Sequence, residues 1–493
     1  MSDRTEPTKP GRSRGPRRST GIPGLDDVTD GGLLAGRNYM IRGEPGAGKT
    51  LVGLHFLTAP DATGEALFVN MGETKETIRR DARQFGFDLE DISFLDLSPS
   101  ADFFAEDQSY DVFPSEQVEG GSITADIVDR IEADRPERVF VDPLTQFRYL
   151  SPDEYQFRQQ VLSFLQFLKE HDCTVLFTSQ DTAATPDDDL QFMSDGIVHL
   201  DQAETRRSLR ITKFRGSAYR SGVHAVRIDD DGMQVFPRLQ PADHQMEFAP
   251  ETIGSGVPEV DDLLRGGLER GTVTIVSGPS GVGKTTLGTQ FVKEAASRGE
   301  RSVIYLLEES AETFHHRSEA IGTPIRDMVD RGTLAIDEVE ALQRSPEEFA
   351  DDVRREVEER EASLVMIDGI DGYRLSLADG DRELTRRLHA LTRYLQNMGV
   401  TTIVTGEVKN VTGEFRATQD EVSYLADNIV FLRYLEFDGE LRKAIGVLKK
   451  RASDFERTLR EFEITEDGLT VGEPLSGLRG ILQGTPEWAD HDE

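Results

Sequence analysis

The 493-residue sequence predicts an α/β protein of two tandem domains, each a mostly parallel β-sheet flanked by helices. Three observations carry that expectation. The stretch 20–50, TGIPGLDDVTDGGLLAGRNYMIRGEPGAGKT, aligns without a gap on 255–285, SGVPEVDDLLRGGLERGTVTIVSGPSGVGKT, and 13 of the 31 positions are identical. The offset of 235 residues is the length of a whole domain and far exceeds a solenoid period. Within each half, short β-branched runs alternate with amphipathic stretches, the pattern of parallel strands covered on both faces.

In the first half the spacing predicts strands at 38–41, 66–69, 138–141 and 174–178, with helices at 74–85, 123–133 and 155–170. The second half repeats the strands at 272–276, 302–306, 364–367 and 401–405. These patterns place the first domain at 19–240 and the second at 249–475, joined by a polar linker at 241–248. Residues 1–18, with Lys9, Arg12, Arg14, Arg17 and Arg18, read as a flexible basic tail, and 476–493 as an acidic one.

Composition narrows the class. The chain carries 56 basic against 91 acidic side chains, a net charge of −35, with 37% hydrophobic residues. Only 11 of the basic residues are lysine, and the acid is dispersed along the chain, a balance similar to proteins of salt-loving cytoplasms. Such charge opposes non-specific binding to nucleic acid. No apolar run approaches the ~20 residues of a membrane span, and the basic start lacks an apolar segment behind it, so a cytoplasmic location is expected. The lone Cys173 makes no internal disulfide and reads as a small core residue.

Gly43-Glu44-Pro45-Gly46-Ala47-Gly48-Lys49-Thr50 and Gly278-Pro279-Ser280-Gly281-Val282-Gly283-Lys284-Thr285, the latter followed by Thr286, both have P-loop spacing between a strand and a helix. Glycines let backbone N–H groups curl around a β-phosphate, Lys49 or Lys284 reaches the β/γ oxygens, and the Thr50 or Thr285 hydroxyl takes Mg²⁺. ATP and Mg²⁺ are therefore the expected ligands. Asp142 and Asp368, each just after a predicted strand, answer the need for a carboxylate beside the metal. Hydrolysis also needs a group that orients and deprotonates water. The second half offers Glu308 and Glu309 in YLLEES; the first has Glu73 in VNMGET, with Gly72 where Glu308 stands. If the first carboxylate of the pair is the base, the first domain binds ATP but turns it over slowly; if the second is, both domains work. Late in each half lies a basic pair, Lys213 and Arg215 in TKFRGS, Lys449 and Arg451 in LKKRAS, at a common offset of 236. Each pair reads either as an exposed charged strand or as a finger reaching a neighbouring subunit's γ-phosphate.

These openings, P-loops, glutamates and late Lys-x-Arg pairs together resemble the KaiC-like family of duplicated RecA-type ATPases, over residues 19 to about 470. The resemblance implies two RecA-like P-loop domains, a homo-hexameric double ring binding ATP between subunits, slow hydrolysis, and unidentified regulatory protein partners. It further implies Lys49, Thr50, Lys284 and Thr285 as phosphate and metal contacts, Asp142 and Asp368 as the acidic strand-tip residues, Glu308 as the second-domain base, and the four late basic residues as trans-acting. Two departures stand out. Gly72 replaces the first glutamate of the first-domain pair. In the segment similar to the family's phosphorylated Ser-Thr pair, Ser423 is followed by Tyr424, so a two-site cycle cannot run unchanged, and Ser423 stays a candidate phosphosite for a Ser/Thr autokinase with a regulatory or timing role. Two other functions fit the same nucleotide core: a RecA-type recombinase or helicase, against which the acidic 181–189 stretch argues, and a non-catalytic nucleotide-sensing scaffold.

Overall fold

The computed structural model describes residues 15–62, 64–97, 123–151, 153–180, 187–203, 206–340, 342–375, 381–408, 423–437, 439–466, 468–476, 478–479 and 487–488. The chain divides into two compact units, Met1–Arg238 and Leu239–Glu493. Among the described residues each unit is built on a nine-stranded sheet.

In the first unit the strand order is Gly232–Phe236, His224–Asp229, Arg207–Phe214, Gly196–Gln202, Asn38–Gly43, Thr174–Thr178, Arg138–Asp142, Ala66–Asn70 and Ser93–Asp96. The six strands from Gly196–Gln202 onward are parallel, and the three before them are antiparallel. The second unit repeats the order with Gly468–Pro474, Arg460–Thr465, Glu440–Lys450, Asn428–Phe437, Val273–Gly278, Thr401–Glu407, Leu364–Asp368, Ser302–Leu306 and Leu334–Glu338. The expected parallel, two-faced sheets are thus present. The antiparallel extension on one edge is the part that strand–helix alternation did not announce.

Side-chain alternation shows why the sheet is a middle layer. Ile41, Phe68, Phe140 and Leu176 enter one buried cluster, while Met40, Leu67, Val69, Val139, Val141, Val175 and Phe177 enter another. Strand neighbours point to opposite faces, so apolar residues at every position bury both. The Glu154–Glu170 helix covers the second of these faces. Its N-terminus is capped by Asp153, which accepts from the Gln156 N–H at 2.8 Å, and Phe157, Val161, Phe164, Leu165 and Leu168 form its buried stripe. Leu168 ends that stripe, and buried Cys173 follows beside the next strand.

The shared opening motif has a structural task in each unit. Asp26 Oδ1 accepts from the Thr20 N–H and hydroxyl, both at 2.7 Å; Asp261 Oδ1 accepts from the Ser255 N–H at 2.6 Å and hydroxyl at 2.8 Å. Pro23 and Pro258 start the short helices that carry these aspartates, where a missing N–H costs nothing. The segment 241–248, described throughout, has a 3₁₀ turn at Pro241–Asp243; Asn397 Nδ2 donates to the Pro241 carbonyl at 2.8 Å, and Met246 N–H to the Asn397 carbonyl at 3.0 Å. Of the two tails, residues 1–14, 477, 480–486 and 489–493 lie outside the described residues. Arg17–Arg18 pairs with Leu33–Leu34, and Leu478–Arg479 with Glu487–Trp488.

Candidate nucleotide sites

Each P-loop leaves the carboxyl end of the central strand of its sheet, where ligands of parallel α/β sheets gather. Gly46 and Gly48 hold φ of +82° and +98°, and Gly281 and Gly283 hold +71° and +117°. Those left-handed angles turn the chain directly into the Lys49–Leu57 and Lys284–Ser297 helices, whose N-terminal N–H groups suit a phosphate. A Cβ on Gly48 would lie 2.7 Å from Met233 Cε, and one on Gly283 2.7 Å from Ile464 Cδ1. The antiparallel edge strands therefore form the back wall of each loop.

Inside the loops, Lys49 Nζ donates to the carbonyls of Gly43 (2.8 Å) and Glu44 (2.9 Å), and Lys284 Nζ to that of Pro279 (3.0 Å). Burial holds both ammonium groups below the ordinary lysine range, opposed by Asp142 in the first site and by Glu407 and Glu308 in the second. Thr50 Oγ1 donates to Asp142 Oδ2 at 2.6 Å, and Thr285 Oγ1 lies 3.0 Å from both Asp368 oxygens. The other side of each carboxylate is held by a threonine on the next strand: Thr178 donates to Asp142, and Thr405 to Asp368 Oδ1 at 2.7 Å. Thr405 Oγ1 also accepts from the Gly369 N–H at 2.8 Å. Burial raises the pKa of both aspartates. A buried carboxylate beside a hydroxyl is an oxygen-only donor set that suits Mg²⁺.

The first site opens into a cavity of about 490 Å³ lined by Lys49, Thr50, Asp142, Glu73, Gln180 and Arg207 among others. Its size is that of a nucleotide-scale ligand pocket. Glu73 is exposed at the rim, and Gly72 stands beside Pro143. In the second unit Glu308 packs on the backbone of Gly369, next to Asp368, so tightly that a Cβ there would lie 2.6 Å from Glu308 Cδ. Burial raises its pKa, and Asp368, Asp371 and Glu407 add to the effect. Glu309 Oε1 accepts from Arg317 at 2.6 Å; burial raises its pKa, Arg317 opposes the rise, and the nearby Asp368 and Glu308 add to it.

The basic pairs sit elsewhere. Lys213 pairs with Ile197 and Gly43 with Leu200, so Lys213 and then Arg215 lie toward the amino end of the sheet, opposite to the outlet of their own P-loop. Lys213 Nζ donates to the Gln191 carbonyl at 2.7 Å, and Arg215 lies 4.0 Å from Asp195. Lys449 Nζ donates to the carbonyls of Ala426 (2.6 Å) and Ser423 (3.1 Å), while Arg451 lies 3.5 Å from Asp427. Burial lowers the pKa of both lysines, and the neighbouring arginine lowers it further. Ser423 is exposed beside this pair. Of the acidic 181–189 stretch, residues 181–186 lie outside the described residues.

Sequence reasoning missed Thr178, Thr405, Gln180, Arg207 and Arg317. A signal existed for the first three: TSQ at 178–180 and TGE at 405–407 stand at corresponding strand ends, but the two threonines read as core and the residues after them fell outside the expected strands.

A family model described as the KaiC ATPase matches the chain twice, over residues 18–240 and 253–476. The circadian clock protein KaiC3 of Synechocystis sp. is 28% identical over 498 residues, spanning 96% of this chain and 95% of that protein. The circadian clock oscillator protein KaiC of Synechococcus elongatus is 26% identical over 488 residues, with 96% and 92% covered. That of Acaryochloris marina is 26% identical over 499 residues, again with 96% and 92% covered. No helix among the described residues is long and apolar enough to cross a membrane.

Proposed function

The chain belongs to the KaiC family of ATPases, and from that premise we propose that both units bind ATP with Mg²⁺, that hydrolysis is concentrated in the second, and that subunits of a homo-hexameric ring complete one another's sites. The observation that carries this reading is the twin clamp at the two P-loops, Thr50–Asp142–Thr178 and Thr285–Asp368–Thr405. Loops that only turned the chain would have no use for a buried carboxylate held by two hydroxyls.

In the second site Lys284 exchanges its bond to the Pro279 carbonyl for β- and γ-phosphate oxygens, and the N–H groups opening the Lys284–Ser297 helix cradle the β-phosphate. Asp368 and Thr285 would hold Mg²⁺, which when bound neutralises charge on the phosphate oxygens. Glu308 orients a water molecule and takes its proton as the water oxygen bonds to the γ-phosphorus. The bond to the β–γ bridging oxygen breaks, and the proton passes on to the released phosphate. The raised pKa of Glu308 makes it a stronger base than an ordinary surface carboxylate. Gly72 leaves the first site without this group, which supports slow turnover and long ATP retention there.

The position of Lys449 and Arg451 supports a trans role, since their end of the sheet faces away from their own P-loop. The exposed Ser423 beside Lys449 supports an autokinase branch in which its hydroxyl, in place of water, receives the γ-phosphoryl group. Nucleotide state would then be read by regulatory protein partners.

The test is incubation with Mg²⁺ and γ-labelled ATP, following label in free phosphate, protein and retained nucleotide. Lys284→Ala should remove most phosphate release and Lys49→Ala little of it, while Arg451→Ala keeps ATP binding and loses turnover. Label mapped to Ser423 adds the kinase branch. Equal turnover in the Lys284→Ala chain refutes the division of labour, and full activity in Arg451→Ala refutes the trans assignment.

A further inference from the structure

The two glutamates after the Ser302–Leu306 strand are alike in sequence and unlike in surroundings. Glu308 lies among Asp368, Asp371 and Glu407, with Lys284 as a nearby cation. Glu309 is also near Asp368 and Glu308, but it has a partner that Glu308 lacks: its Oε1 accepts a 2.6 Å hydrogen bond from the guanidinium of Arg317, which projects from the Ala311–Ala320 helix and also lies near Asp368. Charge assistance makes this bond shorter and more directional than one between neutral groups.

The other unit supplies a built-in comparison. Ser310 and Thr74 are the N-caps of equivalent helices, accepting from the N–H groups of Thr313 and Thr77. That register puts Asp81 at the position of Arg317. Asp81 lines the first cavity and lies 3.1 Å from Arg80. The unit that lacks the first glutamate thus also carries an acid in place of the guanidinium.

We propose that Arg317 is the positioning residue of the second site, holding Glu309 in the wall so that Glu308 alone takes the proton of the attacking water. The assignment rests on the reading that the second unit hydrolyses ATP. Without the clamp, Glu309 competes for the same water and sets a second negative charge beside the γ-phosphate, whose own charge repels it. Arg317 is 44% exposed on its side chain, so its ion pair adds little to stability and its loss acts on rate rather than on folding.

Full-length protein carrying Lys49→Ala isolates turnover in the second site. There, Arg317→Ala should lower kcat about tenfold while KM and the melting temperature stay close to the parent, a loss typical of misplaced catalytic groups. In a Glu309→Gln background the same change should cost less than about twofold, because the carboxylate it restrains is already neutral. Arg317→Lys should recover most of the lost rate. An equal loss in both backgrounds, or no loss at all, overturns the assignment while leaving second-site hydrolysis intact. Absence of turnover in the Lys49→Ala parent overturns the hydrolysis reading and the assignment with it.

Discussion

Gly72→Glu should give the first unit the carboxylate that its counterpart has in Glu308. The backbone permits it: Gly72 is outside the left-handed region, and a Cβ there would meet only Pro143 Cδ at 3.6 Å, an ordinary contact. The position is exposed, so stability should change by no more than about 0.5 kcal/mol. A well-placed general base contributes roughly 10²–10⁴ in rate, or about 3–5 kcal/mol. Against that, the new charge joins Glu73, Asp81 and Asp142 around one cavity. Lys49 and Arg207 line the same cavity and offset two of these, and the one net like charge several ångströms away costs on the order of 2 kcal/mol at an effective dielectric of 20. The difference predicts a gain of about tenfold to a hundredfold. Phosphate release from a Lys284→Ala chain, with and without Gly72→Glu, measures it, and Gly72→Gln supplies the same shape without a base. If the glutamate variant is no faster than the glutamine one, the missing carboxylate is not what limits the first site.

The P-loop helix of the first unit should loosen in acid. Its His55 accepts from the Met233 N–H at 2.8 Å and meets Phe87 edge-on, and burial pulls its pKa down to about 4 from 6.5. A depressed histidine pKa means that the unfolded chain takes up the proton first, so stability is full above pH 6.5 and falls as pH drops toward 4, by about 2 kcal/mol at pH 5. Hydrogen exchange of the Lys49–Leu57 amides at pH 7 and pH 5 should show this loss in the natural chain and not in His55→Gln; equal slopes would refute it. Thr405→Val strips both the bond to Asp368 and the partner of the Gly369 N–H, which should cost the second unit about 2 kcal/mol and slow its turnover, with Thr405→Ser largely sparing both. A valine variant with the melting temperature and phosphate release of the parent would refute the clamp.

The legible parts of the molecule were those written within a few residues. P-loop spacing is local, and so is the all-apolar strand, since TVLFT buried at all five positions can lie only inside a covered sheet. Thr178 and Thr405 were hidden because a threonine ending a core strand looks like β-propensity until the neighbouring strand sets an aspartate beside its hydroxyl. Arg317 was hidden for a related reason: it is eight residues from Glu309, and only the entry angle of a capped helix turns the one toward the other. Apart from the charged strands of Lys213 and Lys449, the edge strands escaped notice because their pattern lies outside strand–helix alternation, although Met233, Phe462 and Ile464 on them wall the loops.

The aspartates of the opening motif, Asp26 and Asp261, tie down a serine or threonine and touch no part of either P-loop cleft described above. The two halves thus share this scaffolding as well as their P-loop clamps, Thr50–Asp142–Thr178 and Thr285–Asp368–Thr405, while two of the positions at which they differ, Gly72 against Glu308 and Asp81 against Arg317, lie around the clefts. A frame maintained by its own internal bonds leaves the cleft free to drift. After the ancestral gene was copied, one half could give up a carboxylate while keeping its own fold. By the same token, matching that opening in another genome identifies the architecture, and the residues at these two positions are where competence has to be judged.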